Sequence, residues 1–314
     1  MEQKPTRMAK TIRIAIINYP HSMQSAVFGL QEMLGLANGL CKANAQPICF
    51  DVNVLTSDHL PADTSAYQAV LIPPSVEGSY YLNPSDTLLQ WLQQQHQSGG
   101  LICSACAGAF ILAASGLLTQ RTATTHWMLA EEFERRFPHI RLNTEQILIK
   151  DNDIITAGGL MSWLDLGLEL VSHYSNALLM RQLGKQLIID TAPREQRYYQ
   201  SFKPKFDHGD KSIRQVQSRI QSEFHLPLSV KSLADRHHMS ERTLLRRFVD
   251  ATGYKPKEYL QRLRVQKACD LLESTRTAIS EIAHNVGYED ISAFRKVFVQ
   301  ITGLSPREFR QRFL

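Results

Sequence analysis

The C-terminal third of the chain is written twice. Residues 248–262 return as residues 298–312 at an offset of 50, with eight of the fifteen positions identical. Upstream, Leu233-Ala234 pairs with Ile282-Ala283 at an offset of 49, so the second copy has gained one residue in the intervening turn. A solenoid needs at least about three stacked units, and two are too few for one. Two copies of a helix-turn-helix suit a duplex, because one rigid body can then read two stretches of groove.

Each copy reads as two short helices. Val230, Leu233 and Ala234, then Leu244 and Phe248, follow the spacing of one buried stripe per helix. Ile279, Ile282, Ala283 and Val286, then Phe294 and Phe298, repeat it. Ser240 stands at an N-cap position, where its hydroxyl can accept from an unpaired amide. Gly253 and Gly303 close the second helices, and Pro256 and Pro306 open the next ones. Small Ala234 and Ala283 let the helices of each unit cross closely. His238 occupies the tight-turn position that Gly287 fills in the second copy.

The residues left outward on the second helices are Glu241, Arg242, Leu245, Arg246 and Arg247 in one copy, and Asp290, Ser292, Arg295 and Lys296 in the other. Arginine can place two donors on guanine O6 and N7 in the major groove. A solvated basic face is the plainer reading of any charge run. Regional charge argues further: residues 211–314 hold 19 Lys and Arg against 11 Asp and Glu, a net of +8. The first 210 residues hold 16 and 19, a net of −3, and the two sum to the chain's +5. A cationic region carried by a mildly acidic one points to a nucleic-acid module on a separate domain.

Residues 211–314 resemble the DNA-binding domain of the AraC/XylS family of bacterial transcription regulators. The resemblance is carried by Leu233-Ala234, by Met239-Ser240-Glu241-Arg242-Thr243-Leu244, and by Ile282-Ala283 with Gly287-Tyr288, Phe294, Phe298 and Thr302-Gly303-Leu304-Ser305-Pro306. It implies a long helix joining the two units, and 256–273 fits, with Leu260, Leu263, Ala268, Leu271 and Leu272 available to pack. It also implies contacts from Ser240, Arg242, Leu245, Arg246, Arg247, Asp290, Ser292, Arg295 and Lys296 to double-stranded DNA. RNA polymerase is the further partner implied.

The 314 residues suffice for two domains, and 43% hydrophobic residues for two cores. The N-terminus shows no apolar leader core, and no apolar run approaches the roughly 18 residues of a membrane span. Five cysteines, an odd number, fit reduced thiols in the cytoplasm. The expectation is a cytoplasmic, nucleoid-associated protein with domains 1–195 and 211–314. Between them, 196–210 is read as the linker, on the strength of Pro193, Pro204 and Gly209 nearby.

The N-terminal region alternates strands and helices. Apolar runs at 12–17, 50–55, 69–72 and 101–105 read as buried strands; 25–37, 84–97, 108–114, 128–137 and 162–183 read as helices. The expected fold is α/β, a flavodoxin-like doubly wound parallel sheet, followed by an all-α C-terminal domain with two helix-turn-helix units. Sites in such sheets form at the carboxyl ends of strands.

One strand end is unusual. From Leu101 the chain runs through Ser104 and Cys106 to Gly108, small residues flanking a cysteine as in a nucleophile elbow. The sulfur would sit at a helix start, where the dipole favours a thiolate. These residues, with Gly116-Leu117-Leu118, Thr124-Thr125-His126-Trp127, Ala157-Gly158-Gly159 and Asp165, resemble the class I glutamine amidotransferase-like superfamily that includes the intracellular proteases. The branch fused to AraC-type DNA-binding domains fits best, and the resemblance covers roughly residues 10–185. The enzymatic relatives often place His after the nucleophile and an acid near the first helix; Ala107 and Gln24 stand there instead. Cys106 and His126 are therefore read as vestigial, with no catalytic residue. Cys106, Ala107, Gly108, His126, Gly158 and Gly159 are read as a ligand pocket. The resemblance implies a small nitrogen-containing effector, an activator role and a homodimer. A cysteine-dependent amidase or protease-like enzyme tethered to DNA is the alternative. Cys103 and Cys106 form C-x-x-C, but Cys103 lies inside a strand, and the remaining cysteines lack zinc-ligand spacing, so neither metal nor cofactor is expected.

Overall fold

The computed structural model describes residues 9–61 and 66–314, so the first residues read for a leader lie outside it. The chain divides into two compact units, residues 1–196 and 197–314.

The N-terminal unit is built on a six-stranded sheet. Its strands are β1 (Lys10–Asn18), β2 (Ile48–Thr56), β3 (Ala69–Ile72), β4 (Leu101–Ala105), β7 (Leu148–Asp151) and β8 (Ile154–Ala157), in the order β2-β1-β3-β4-β8-β7. A separate two-stranded ribbon pairs β5 (Thr122–Ala123) with β6 (Arg141–Leu142). The sheet is parallel except for β7, which runs antiparallel beside β8. The doubly wound α/β expectation holds. Near-continuous apolar strands are what a sheet covered on both faces requires. Along β1, Ile12, Ile14 and Ile16 enter one core while Ala15 and Ile17 enter the other.

The first core is covered by α1 (Gln24–Ala43), α5 (Trp163–Tyr174) and α6 (Ala177–Leu187), and the second by α2 (Asp86–Gln97), α3 (Gly108–Ala114) and α4 (Ala130–Arg136). Helix 162–183 was expected as one piece and is two. Asn176, in extended conformation, accepts from the Leu179 amide at 2.9 Å and starts α6 afresh. Helix 128–137 is likewise a short 3-10 turn, Trp127–Leu129, followed by α4. Strands β7 and β8 were not foreseen.

The C-terminal unit is all α: α7 (Lys211–Ser222), α8 (Val230–Arg236), α9 (Glu241–Thr252), α10 (Pro256–Ser274), α11 (Ile279–Asn285), α12 (Ile291–Thr302) and α13 (Pro306–Phe313). The sequence repeat becomes a repeat of hydrogen bonds. Thr252 Oγ1 donates to the Phe248 carbonyl at 2.6 Å and accepts from the Tyr254 amide at 3.2 Å. Thr302 Oγ1 does the same with Phe298 at 2.9 Å and Leu304 at 3.3 Å. Gly253 and Gly303 end α9 and α12 at φ 76° and 80°, each amide reaching the fourth carbonyl back at 2.8 Å. Two cores form, one around Phe248 and one around Phe298, with α10 contributing to both.

The expected linker is shared out between the units. Gln196 is buried in the N-terminal unit. Phe202 packs edge-on against Tyr254 and Tyr259, at 5.7 and 5.1 Å, in the first helix-turn-helix core.

Candidate nucleic-acid interface and effector site

Helices α9 and α12 hold their apolar stripes inward. Leu244, Phe248, Phe294 and Phe298 are completely buried. Ser240 Oγ accepts from the Thr243 amide at 3.2 Å, the cap expected of it, and Asp290 accepts from the Ser292 amide at 2.8 Å. Arg242, Leu245 and Arg246 are exposed on α9, and Ser292, Arg295 and Lys296 on α12. At the repeat's offset of 50, Arg246 is equivalent to Lys296 and Leu245 to Arg295. Arg247 differs. Its guanidinium is half-buried and bound by Asp210, Nε to Oδ2 at 2.9 Å and Nη2 to Oδ1 at 2.7 Å. Its equivalent in the second copy is Val297.

In the N-terminal unit, Cys106 sits just past β4 with φ 53°, a left-handed value that a non-glycine residue adopts only where its surroundings enforce it. Its amide reaches the Ala157 carbonyl at 2.7 Å, and its carbonyl accepts from Thr125 Oγ1 at 2.8 Å. A Cβ on Gly108 would lie 2.6 Å from the Ile72 carbonyl oxygen, so the small residue after the elbow is a steric necessity. Cys106, Ala107, Gly108 and Gly158 are buried, while His126 and Gly159 are half-exposed.

The expected thiolate does not follow from this geometry. Burial pushes the Cys106 thiol up to about 12, outweighing the Ala107 amide that would lower it. His126 is not engaged with the sulfur: its Nδ1 accepts from the Met128 amide at 3.1 Å, capping the short turn after it. Burial also holds its imidazole below the usual range. Gln24, at the acid's position, is exposed and turns its amide to Asn18 and Ser22. Cys103 and Cys106 are both free thiols.

The sequence pattern of the DJ-1/PfpI family matches residues 38–173, and that of a helix-turn-helix domain matches residues 233–312. The chain joins a DJ-1/PfpI domain to an AraC-type helix-turn-helix domain. The helix-turn-helix match lies within the C-terminal unit, and the relatives that share both regions are named as HTH-type transcriptional regulators. The HTH-type transcriptional regulator CdhR of Pseudomonas aeruginosa is 27% identical over 224 residues, 71% of this chain and 66% of that protein. ArgR of the same organism is 28% identical over 70% of this chain and 67% of its own length. GlxA of Rhizobium meliloti is 26% identical, over 70% and 68% respectively.

Around the DJ-1/PfpI elbow stand residues that sequence reasoning missed. Tyr19, just past β1, donates its hydroxyl to the Pro73 carbonyl at 2.7 Å and stacks on Tyr80 at 5.6 Å. Burial raises its phenol well above the usual range, and Cys106 is near enough to add to that rise. Tyr81 meets Phe110 edge-on at 5.2 Å. Gln196 is the other addition. Its Nε2 donates to Thr124 Oγ1, the Thr125 carbonyl and the Gln146 carbonyl at 2.9, 3.0 and 2.9 Å, while Oε1 accepts from the Trp127 amide at 3.2 Å. A Cβ on Gly158 would fall on that carboxamide, which explains the glycine. Tyr19 was findable, since it ends a buried strand at the order reversal between β1 and β3, where ligands of such sheets bind. Nothing in the local pattern marks Gln196.

Among the described residues no cluster of three or more His, Cys, Asp or Glu is placed to hold a metal, and no helix is long and apolar enough to cross a membrane.

Proposed function

We propose that this regulator binds double-stranded DNA sequence-specifically through two recognition helices, α9 and α12. Arg242, Leu245 and Arg246 read one groove segment; Arg295 and Lys296 read the next, with Ser240, Ser292 and Asp290 at the helix starts and Arg247 as a support. The observation that carries this is the repeat itself. Two helices capped at equivalent positions by Ser240 and Asp290, with the same glycine end and the same threonine bonds, present cations at equivalent exposed positions, Arg246 and Lys296. In this reading the protein is a cytoplasmic, nucleoid-associated homodimer that activates transcription with RNA polymerase.

The DJ-1/PfpI domain is the sensor in this proposal, taking a small nitrogen-containing metabolite beside Cys106, Ala107, Gly108, His126, Gly158 and Gly159. The aromatic faces of Tyr19, Tyr80 and Tyr81 suit a cationic nitrogen. A neutral Cys106 supports a binding role over the alternative of a DNA-tethered amidase, since a thiol nucleophile needs a base within reach.

The test is competitive binding on duplexes that the full-length protein enriches from a random pool. Arg242→Ala and Arg246→Ala should each cost about 1–3 kcal/mol on those duplexes and relax preference at one position. Equal losses on enriched and random-sequence DNA would reduce the interface to a nonspecific cationic face.

A further inference from the structure

The two helix-turn-helix cores are separate, so something must fix the angle and distance between their recognition helices. Helix α10 contributes to both, but one long helix does not lock the rotation of what packs at either end. The contact that does so centres on Arg264. From α10 its Nε donates to the Phe224 carbonyl at 2.7 Å, and its Nη2 donates to the Leu226 carbonyl at 2.9 Å. Those carbonyls belong to the loop between α7 and α8, which delivers the first unit. The same guanidinium lies over the Tyr288 ring, 5.3 Å from its centre. Tyr288 belongs to the turn of the second unit, and its ring leans on Phe294 of α12 at 5.4 Å. Phe224 packs against both cores.

The repeat's one irregular turn points the same way. Gly287 has φ 88°, and a Cβ there would sit 2.6 Å from the His225 carbonyl oxygen and 2.8 Å from Arg264 Nη2. Its counterpart in the first copy, His238, has φ 53° and is exposed, so a side chain is tolerated where no loop presses on the turn. The second copy needs glycine because its turn abuts the loop of the first. Beyond Phe224, apolar packing leaves space beside this junction. A cavity of about 260 Å³ lined by Leu228, Val230, Leu260, Arg264 and Tyr288 flanks it.

We propose that Arg264 is a positioning residue for DNA recognition: it bolts the 224–226 loop to the Tyr288 turn and so sets the spacing between the two groove segments that the protein reads. Arg264 touches no DNA in this role. It acts by making the pair of recognition helices a rigid gauge. This rests on the DNA reading proposed above, and it adds that spacing specificity depends on a polar contact distinct from the residues that read bases.

The experiment uses full-length protein and the duplexes that the wild type enriches from a random pool, with one or two base pairs inserted or deleted between the two protected segments. Each inserted pair turns the second segment by roughly a tenth of a helical turn. Wild type should lose at least about tenfold in affinity for a one-pair change, on the order of losing one base contact. Arg264→Met should bind the original duplex somewhat more weakly but keep its penalties for altered spacing within about threefold. Arg264→Lys, which keeps the charge but gathers its donors on a single nitrogen, should fall between. Tyr288→Phe should match wild type, because the tyrosine hydroxyl has no hydrogen-bond partner among the described residues. A uniformly weaker Arg264→Met with the wild-type spacing profile would mean a merely structural role and overturn the proposal. If Arg264→Met does not fold, an Arg264→Lys profile identical to wild type overturns it equally. Failure of the wild type to enrich any sequence would instead remove the DNA reading, and the gauge with it.

Discussion

Asp210 and Arg247 are 37 residues apart and share two hydrogen bonds, at 2.7 and 2.9 Å, that tie the start of α7 to the first recognition helix. The same carboxylate caps α7, accepting from the Ile213 amide at 3.1 Å. One side chain thus closes a helix and orients the helix proposed to enter the groove. Arg247 is thereby removed from the set of cations available for bases.

A pH dependence follows. The Arg247 guanidinium beside Asp210 holds its carboxyl below the usual carboxylate range. A depressed folded-state value stabilises the fold above the unfolded-chain pKa of about 3.9, and that contribution is lost as pH falls through the folded value. Asp210→Asn keeps an oxygen for the cap and removes the ion pair. Its unfolding midpoint should lie below wild type at neutral pH, with the gap closing as pH falls below about 4. Denaturant unfolding of both proteins from pH 7 to 3 is the measurement. A gap that persists unchanged at the acid end would show the pair to contribute nothing.

The same two residues set where the DNA-binding domain begins. A fragment starting at 211 lacks the Asp210 cap, the partner of Arg247, and Phe202 against Tyr254 and Tyr259. Losing a cap costs about 1 kcal/mol and losing part of a buried phenylalanine a similar amount. We expect residues 197–314 to be more stable than 211–314 by on the order of 2 kcal/mol. Urea titration of the two fragments decides it, and equal midpoints would return 197–210 to the status of a linker.

Cys106 should react slowly. With its thiol pushed up to about 12, roughly one part in ten thousand is thiolate at pH 8, against about a quarter for an unperturbed cysteine. Cys49 is the exposed cysteine among the five free thiols. Peptide mapping after brief iodoacetamide treatment of the native protein should find Cys49 alkylated and Cys106 largely untouched. Cys106 labelling as fast as Cys49 would contradict a buried neutral thiol and reopen the enzymatic reading.

The two helix-turn-helix units were legible because their signals are local. Caps, glycine ends and stripes of i, i+3, i+4 spacing all lie within a dozen residues of one another. The buried strands of the α/β domain were legible for a similar reason, as short apolar runs bounded by polar ones. Strands β7 and β8 escaped because each is four residues long and joined by a tight turn at Asn152. The elbow's shape could be read from Ser104, Cys106 and Gly108, but not its electrostatics. Burial depends on what distant segments cover, and here it reverses the expectation that a helix start favours a thiolate. The pairing of Asp210 with Arg247, and of Gln196 with Thr124 and Gln146, is long-range, and no spacing rule encodes it.

Gln196 offers the sharpest test of that long-range part. Its carboxamide gives both donors to three acceptors, Thr124 Oγ1 and the carbonyls of Thr125 and Gln146, and takes one hydrogen bond from Trp127. Thr125 in turn holds the Cys106 carbonyl, so the side chain braces the loop that holds the elbow. Gln196→Ala strips the Trp127 amide of its acceptor and leaves the Thr125 and Gln146 carbonyls only the Thr124 hydroxyl, at 3.3 and 3.1 Å, a loss of about 1–3 kcal/mol for each group that water does not reach. Gln196→Glu should be worse. It preserves the shape and the acceptor for Trp127, but turns an oxygen toward two carbonyl oxygens where a donor is required. The expected order of stability is wild type, then Gln196→Ala, then Gln196→Glu. Hydrogen exchange at the amides of residues 124–127 should quicken in the same order while α9 and α12 keep their protection. Lowering the pH until the new carboxyl is protonated should recover part of the loss in Gln196→Glu, because its hydroxyl can then donate to one carbonyl. A Gln196→Glu protein as stable as wild type at neutral pH would show that the carboxamide's donors are not what holds this loop.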